Sequence, residues 1–297
     1  MSEKMKNFIT RTIFGILFVI IMVGGIIWRP DSFILLFAII TGLALWEYTG
    51  LVNDIKGVQV NRFISTVAGV YFFFAVAAWC TGIAEGFIAF VPYILTMLYL
   101  IISELFLKQE NPINNWAYTM LGQMYITLPF SLINLLAFSV TSETNPAYNW
   151  LLPLSIFIFL WANDTGAYCI GSLLGRHKLF PRVSPGKSWE GSIGGAVLVM
   201  IVAYAIGYIN NMTLYDAENQ PTLFSATQSI AEWMGLGLVV VVFGTLGDLV
   251  ESLFKRTLGI KDSGNILPGH GGMLDRFDSS LMAIPAAVIY LYTLAAV

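Results

Sequence analysis

The sequence predicts an all-α, polytopic integral membrane protein with about nine transmembrane helices, a cytoplasmic amino end and a polar site facing the cytoplasm; three observations carry that prediction. Of its 297 residues 57% are hydrophobic and only 11% charged, with a mean hydropathy of +0.75, and a water-soluble chain of this length would expose far more charge. The apolar residues fall into runs close to the roughly 20 residues that cross a hydrocarbon core of about 30 Å. Nearly all basic residues lie in alternate connections between those runs, as expected of short cytoplasmic loops.

The basic amino end, MSEKMKNFITR, leads into the first apolar run, 12–28. A cleaved signal peptide would show a small-residue cleavage site; none is evident, so this run is read as the first span. Further spans are expected at 32–51, 63–81, 86–107, 118–140, 150–170, 191–209, 233–249 and 277–296. With the amino end inside, Lys4, Lys6, Arg11, Lys56, Arg62, Lys108, Arg176, Lys178, Arg182, Lys187, Lys255, Arg256, Lys261 and Arg276 are cytoplasmic, and Arg29 alone is outside. A missed or extra helix would scramble every later loop, so this bias supports the count and puts the carboxyl end outside. Trp28, Trp150 and Trp233 near run ends fit an interfacial aromatic belt. Cys80 and Cys169 stand far apart in apolar runs and suggest neither a disulfide nor a zinc site.

Loop character divides the chain into an amino-terminal membrane scaffold, 1–149, and a carboxyl-terminal half, 150–297, which carries two long inner loops at 171–190 and 252–278. The outer loop 210–228 has no basic residue and reads as a solvated connector. No internal repeat is evident, and matched inverted halves, which would favour a secondary transporter, are missing.

Ionisable groups inside a membrane are costly and normally face a wet or protein-lined cavity. Asp164 lies about two thirds of the way along its span toward the inner face; Asp248, Asp275, Asp278 and Glu47 sit near the inner ends of theirs. These five carboxylates are therefore expected to gather in the inner third of the membrane. Asp164, with Asn163 beside it, could instead make a helix–helix hydrogen bond or a buried pair with Lys, and Glu47 could simply reach the headgroups.

Asp248, Glu251, Ser252 and Lys255 share one helix face, as do Asp275, Asp278 and Ser279 on the next helix. Hard oxygen ligands with open positions suit Mg²⁺, which usually takes one or two carboxylates plus substrate phosphates. Lys255, Arg256, Lys261 and Arg276, together with Asp262, surround a Gly-rich centre in which Gly264, Gly269, Gly271 and Gly272 would let backbone N–H groups approach a phosphate. His270, flanked by glycines, is a candidate ligand or a turn residue; His177, in the run RHK, reads as a solvated surface residue. Lys187 and Ser188 precede a helix start, where a phosphate would find free N–H groups, although Lys187 could equally be a positive-inside anchor. Nucleic-acid binding is disfavoured, because the basic residues are scattered over anchoring loops.

Ser252-Leu-Phe-Lys-Arg, Lys261-Asp262, Gly264, Leu267-Pro268-Gly269-His270-Gly271-Gly272 and Asp275-Arg276-Phe277-Asp278 form a continuous 27-residue stretch that resembles the signature of the phosphatidate cytidylyltransferases, also called CDP-diacylglycerol synthases. Asn163-Asp164 with Ala167-Tyr168, Ser184-Pro185 with Lys187, Trp189-Glu190-Gly191, and Gly247-Asp248 are similar to that family's other motifs, in the same order; Trp46-Glu47 is a minor echo. Gly186, where Lys would be expected, and Ser188, where Thr would be, depart from the pattern and remove one cation from the first inner loop.

The resemblance implies transfer of a cytidylyl group from CTP to phosphatidic acid, giving CDP-diacylglycerol and pyrophosphate with Mg²⁺, in phospholipid biosynthesis at the cell (inner) membrane. It implies metal ligation by Asp248 and Asp275, phosphate contacts from Lys255, Arg256, Lys261, Arg276 and Lys187, and His270 at the triphosphate or leaving group. Asn163, Asp164, Ser184, Ser188, Ser252, Asp262, Gly271, Gly272 and Asp278 are further substrate-binding candidates. The alternatives are a secondary transporter using Asp164, Asp248 and Glu47, a membrane scaffold, or a related kinase or transferase acting on another lipid. Small-residue faces such as 191–195 would support a homodimer, or equally packing within one chain.

Overall fold

A computed structural model describes residues 3–139, 147–214, 229–264, 266 and 271–296. Helix dominates, because backbone surrounded by hydrocarbon must satisfy its own N–H and C=O groups. The order is α1 (Glu3–Trp28), α2 (Pro30–Asn53), α3 (Arg62–Cys80), α4 (Val91–Leu107), α5 (Pro112–Gly122), α6 (Leu128–Ala137), α7 (Leu151–Leu174), α8 (Trp189–Leu214), α9 (Ile230–Thr257), α10 (Leu274–Phe277) and α11 (Ser280–Ala295). A 3₁₀ turn, Gly86–Phe90, leads into α4, and a π-helical turn, Gln123–Thr127, joins α5 to α6. Two short antiparallel ribbons complete the regular structure of the described residues: β1 (Phe138–Ser139) with β2 (Ala147–Tyr148), and β3 (Lys178–Phe180) with β4 (Ser184–Ser188).

Among the described residues seven helical stretches are long and apolar enough to cross a membrane: Pro30–Asn53, Arg62–Cys80, Gly86–Leu107, Pro112–Ala137, Trp189–Asn211, Ile230–Thr257 and Leu274–Ala295. The protein is thus a helical, multi-pass membrane protein. The other two expected spans also fall on helices. That at 12–28 is the shorter apolar part of α1, and that at 150–170 lies on the 24-residue α7, whose apolar run is interrupted by Asn163 and Asp164. Only Arg29 separates α1 from α2, because Pro30 is pre-set for a first helical position and the Arg29 N–H donates to Ser32 Oγ at 3.0 Å.

The chain divides into two compact units: Met1–Asn134 with Thr257–Phe277, and Leu135–Arg256 with Asp278–Val297. The sequence suggested one boundary at 149/150, with the whole 252–278 stretch on its far side; in the structure most of that stretch belongs with the amino-terminal helices.

In the first unit an aromatic cluster fills the core. Phe33 packs on Phe37 and Phe37 on Phe130, and Phe277 meets both Phe130 and Phe18 edge to face. Phe277 is 1% exposed, so burial of this one ring fixes the end of the 257–277 segment against α1 and α6. Several buried polar groups here are paired: Gln123 Nε2 donates to Ser65 O at 2.9 Å and Tyr48 Oη to Tyr118 O at 3.0 Å.

In the second unit α7 and α8 lie against each other over most of their lengths through small residues. A Cβ at Gly166 would sit 2.9 Å from Gly194 O and Gly195 Cα, and one at Gly191 would sit 2.8 Å from Ala167 O. The small-residue face at 191–195 is therefore used for packing within the chain, and a homodimer would need another surface. Gly166→Ala should lower the thermal stability of the detergent-solubilised protein, by about 1–3 kcal/mol for overpacking against backbone, and an unchanged melting temperature would show that the two helices can separate freely.

Candidate active site

In the second unit the sequence-predicted residues form one constellation. Gly247 lets α9 and the start of α11 approach so closely that a Cβ there would lie 2.8 Å from Asp278 O, and this brings Asp248 beside Asp278. The Asp278 carboxyl lies within electrostatic reach of Asp248, Asp164 and Lys255. Lys187 Nζ, at the end of the β3–β4 ribbon, is 2.5 Å from Asp248 Oδ2, while Ser252 Oγ, one turn along α9, donates to Asp248 Oδ1 at 3.2 Å. The predicted helix face is thus real: Asp248 with Ser252 and Glu251 with Lys255 are each four residues apart and in contact.

Beside Asp248 opens a pocket of about 440 Å³ lined by Asn163, Asp164, Tyr168, Lys187, Ser188 and Thr245, among others. The Asn163 Oδ1 atom is buried against Gly195 and makes no hydrogen bond among the described residues, an acceptor left beside the pocket. Ser188 is buried and accepts from the Gly191 N–H at 3.2 Å, so its hydroxyl caps the start of α8; Ser184 begins β4 and is half-buried. His177 is exposed, as expected, but its Nδ1 is 2.6 Å from Glu190 Oε1, and its backbone N–H donates to the same carboxylate at 3.2 Å. Glu190 therefore holds the base of the ribbon that carries Lys187.

Lys255, expected to contact phosphate, is 2.6 Å from the fully buried Glu251 and mostly enclosed. Its first task is to neutralise that carboxylate, since a buried unpaired charge is strongly destabilising. Arg256 is exposed at the end of α9.

The first unit holds the second constellation. Glu47, 6% exposed on α2, accepts from Ser263 Oγ, from the Met273 N–H at 2.8 Å and from the Leu274 N–H at 3.2 Å. It does not reach for headgroups; it is the buried anchor of the loop. Asp275 Oδ2 in turn accepts from the N–H groups of Ser263 and Gly272, both at 2.8 Å. The Gly272 N–H is thus engaged by Asp275 within the protein. Gly271 has φ of +85°, and a Cβ there would lie 2.5 Å from Asp275 Oδ2, so this turn requires glycine. Lys261, Asp262 and Arg276 are exposed around the same loop. His270 lies outside the described residues, as do Leu267, Pro268 and Gly269.

Of the five carboxylates expected to converge, the structure therefore gathers Asp164, Asp248 and Asp278 in one unit and Glu47 with Asp275 in the other. Among the described residues no three His, Cys, Asp or Glu side chains form a metal-holding group. The donor chemistry nevertheless fits a hard divalent ion of the Mg²⁺ kind, which needs only one or two carboxylates when phosphate oxygens complete its shell. It does not fit an all-protein cage.

The family model described as "Cytidylyltransferase family" matches residues 9–294. The chain belongs to that family. It is similar to the phosphatidate cytidylyltransferase of Haemophilus influenzae, 32% identical over 270 residues that cover 87% of this chain and 89% of that one. The phosphatidate cytidylyltransferase of Staphylococcus haemolyticus is also 32% identical, over 285 residues covering 95% and 98%. That of Staphylococcus saprophyticus reaches 45% over 140 residues, 46% of this chain and 48% of the relative. As a cytidylyltransferase the chain is an enzyme, a nucleotidyltransferase, and the resemblance first seen in the loop motifs extends over nearly its whole length. Glu47, in the sequence only a minor echo of a motif and one of five expected carboxylates, is the residue that the motif reading underrated: its partners stand more than 200 residues away in sequence, so no local pattern showed what it would bind.

Proposed function

We propose that the protein is a phosphatidate cytidylyltransferase, transferring CMP from CTP to phosphatidic acid to give CDP-diacylglycerol and pyrophosphate at the cytoplasmic face of the cell (inner) membrane. The observation that carries this reading is the pocket beside Asp248, a largely apolar cavity into which Asp164, Lys187 and Ser188 bring a carboxylate, a cation and a hydroxyl. Nine spans, a cytoplasmic amino end and a carboxyl end outside complete the proposal, supported by the fourteen of fifteen basic residues that such a topology leaves inside.

In this mechanism a phosphate oxygen of the lipid attacks the α-phosphorus of CTP in line; the new P–O bond forms as the bond to the β-phosphate oxygen breaks, and pyrophosphate leaves with the electron pair. No protein nucleophile is required, so catalysis rests on positioning and charge neutralisation. Lys187, already held by Asp248, stands at the pocket wall where it can turn to a phosphate oxygen. Lys261, Arg256 and Arg276 are exposed cations of the loop signature and are assigned to phosphates, as is His270. Mg²⁺, when bound, neutralises charge on the nucleotide phosphates, with Asp248 and Asp275 as the protein ligands that the resemblance implies.

The test is pyrophosphate release by purified protein in detergent with phosphatidic acid, CTP and Mg²⁺. Release should require the lipid and should fall at least about tenfold with ATP in place of CTP. Equal release with ATP, or release without lipid, would overturn the assignment.

A further inference from the structure

A groove of about 460 Å³ runs along the outer surface of α2 and α3, lined by Leu35, Ala38, Ile39, Gly42, Leu43, Trp46, Thr66, Val70 and Phe74. Its walls are apolar and open: Leu35, Ile39, Trp46 and Phe74 are each more than two fifths exposed. From Leu35 to Trp46 it follows twelve residues of α2, eleven steps of about 1.5 Å or about 16 Å in all. That length matches one leaflet of hydrocarbon, about 15 Å, or half of a core of about 30 Å.

One end of the groove carries a fixed cation. The Arg62 guanidinium lies over the Trp46 ring, 4.0 Å from its centroid, and Nε donates to Trp46 O at 2.8 Å. Gly50 makes room for it, since a Cβ there would lie 3.0 Å from Arg62 Cζ and Nη2. Among the described residues no carboxylate lies within ion-pair distance of Arg62. Four of its five N–H donors, those on Nη1 and Nη2, thus stand next to Trp46 and Gly50 beyond the end of the groove, in the planar fork that suits a phosphate. A stacked guanidinium loses little further freedom when it binds an anion.

We propose that this groove binds an anionic phospholipid of the bilayer, with one acyl chain along α2 and α3 and its phosphate on the Arg62 guanidinium. The headgroup sign follows from the uncompensated cation, and the tail from the apolar, leaflet-length walls. The ligand is a resident membrane lipid; the site lies within the amino-terminal helices and uses none of the residues assigned to the reaction.

The experiment is native mass spectrometry of the full-length protein released from micelles containing acyl-matched phosphatidylglycerol and phosphatidylcholine, without CTP, so that turnover plays no part. Wild type should retain one phosphatidylglycerol at least about fivefold over phosphatidylcholine. Arg62→Gln should abolish that preference, and Arg62→Lys should keep part of it. Val70→Trp, which fills the groove and leaves Arg62 in place, should reduce retention of both lipids. Equal retention of the two lipids by wild type, an undiminished preference in Arg62→Gln, or unchanged retention in Val70→Trp would overturn the proposal. Retention of phosphatidic acid alone, in a parallel arm, would overturn it as well, by marking the groove as a substrate site.

Discussion

Asp275→Asn should leave the protein folded in the membrane and lower turnover about a hundred- to a thousandfold, the scale of removing a principal electrostatic contact to a transferring group. The change is nearly isosteric, and the asparagine oxygen can still accept the N–H groups of Ser263 and Gly272 that Asp275 Oδ2 receives at 2.8 Å. The loop geometry is therefore preserved while the negative charge is lost. Asp275→Ala would remove both acceptor bonds and confound loop collapse with loss of charge, which makes Asn the informative variant. The measurement is pyrophosphate release at saturating CTP and lipid, alongside thermal melting in detergent. Turnover within about tenfold of wild type would remove Asp275 from the chemistry and leave it a role in shaping the loop.

The membrane helices were legible because hydrocarbon imposes a length and because each run is closed by charged, Pro or Gly residues. The α9 pairs were legible for an equally local reason: Asp248 with Ser252 and Glu251 with Lys255 stand four residues apart, where a helix forces side chains together. What stayed hidden depended on tertiary partners. The β3–β4 ribbon could not be read, since SPGKS contains a Pro and a Gly that weaken any strand signal and the pairing is secured by Glu190 from the following helix. The bond from the Gly272 N–H to Asp275 was not legible for another reason. A glycine-rich turn offers donors to a phosphate and to a nearby carboxylate alike, and here Asp275, three residues on, takes the bond. The grouping of 257–277 with the amino-terminal helices follows from the burial of Glu47 and Phe277, and neither residue announces in sequence what it will pack against.

Glu47→Gln tests that hidden link and carries the second large effect. Glu47 Oε1 accepts from Ser263 Oγ and the Leu274 N–H, and Oε2 accepts from the Met273 N–H. A glutamine of the same shape must place its NH₂ at one of these positions, so in either orientation at least one buried backbone N–H faces another donor. An unsatisfied buried donor costs about 1–3 kcal/mol. The disturbance passes directly to Asp275, because Ser263 joins the two: its Oγ donates to Glu47 and its N–H to Asp275 Oδ2, while the Asp275 N–H returns to Ser263 Oγ at 3.3 Å. Turnover should fall about 10- to 100-fold, as for the partners that orient a ligand in other sites, and backbone hydrogen exchange over 263–275 should quicken. Ser263→Ala, which removes the shared hydroxyl but leaves the Glu47 bonds to Met273 and Leu274, should lie between wild type and Glu47→Gln on both measures. A merely structural glutamate would lower the melting temperature without changing turnover per folded molecule. If Glu47→Gln changes neither turnover nor exchange in the loop, Glu47 does not position Asp275, and the placement of Asp275 must come from the Phe277 side chain and its aromatic neighbours instead.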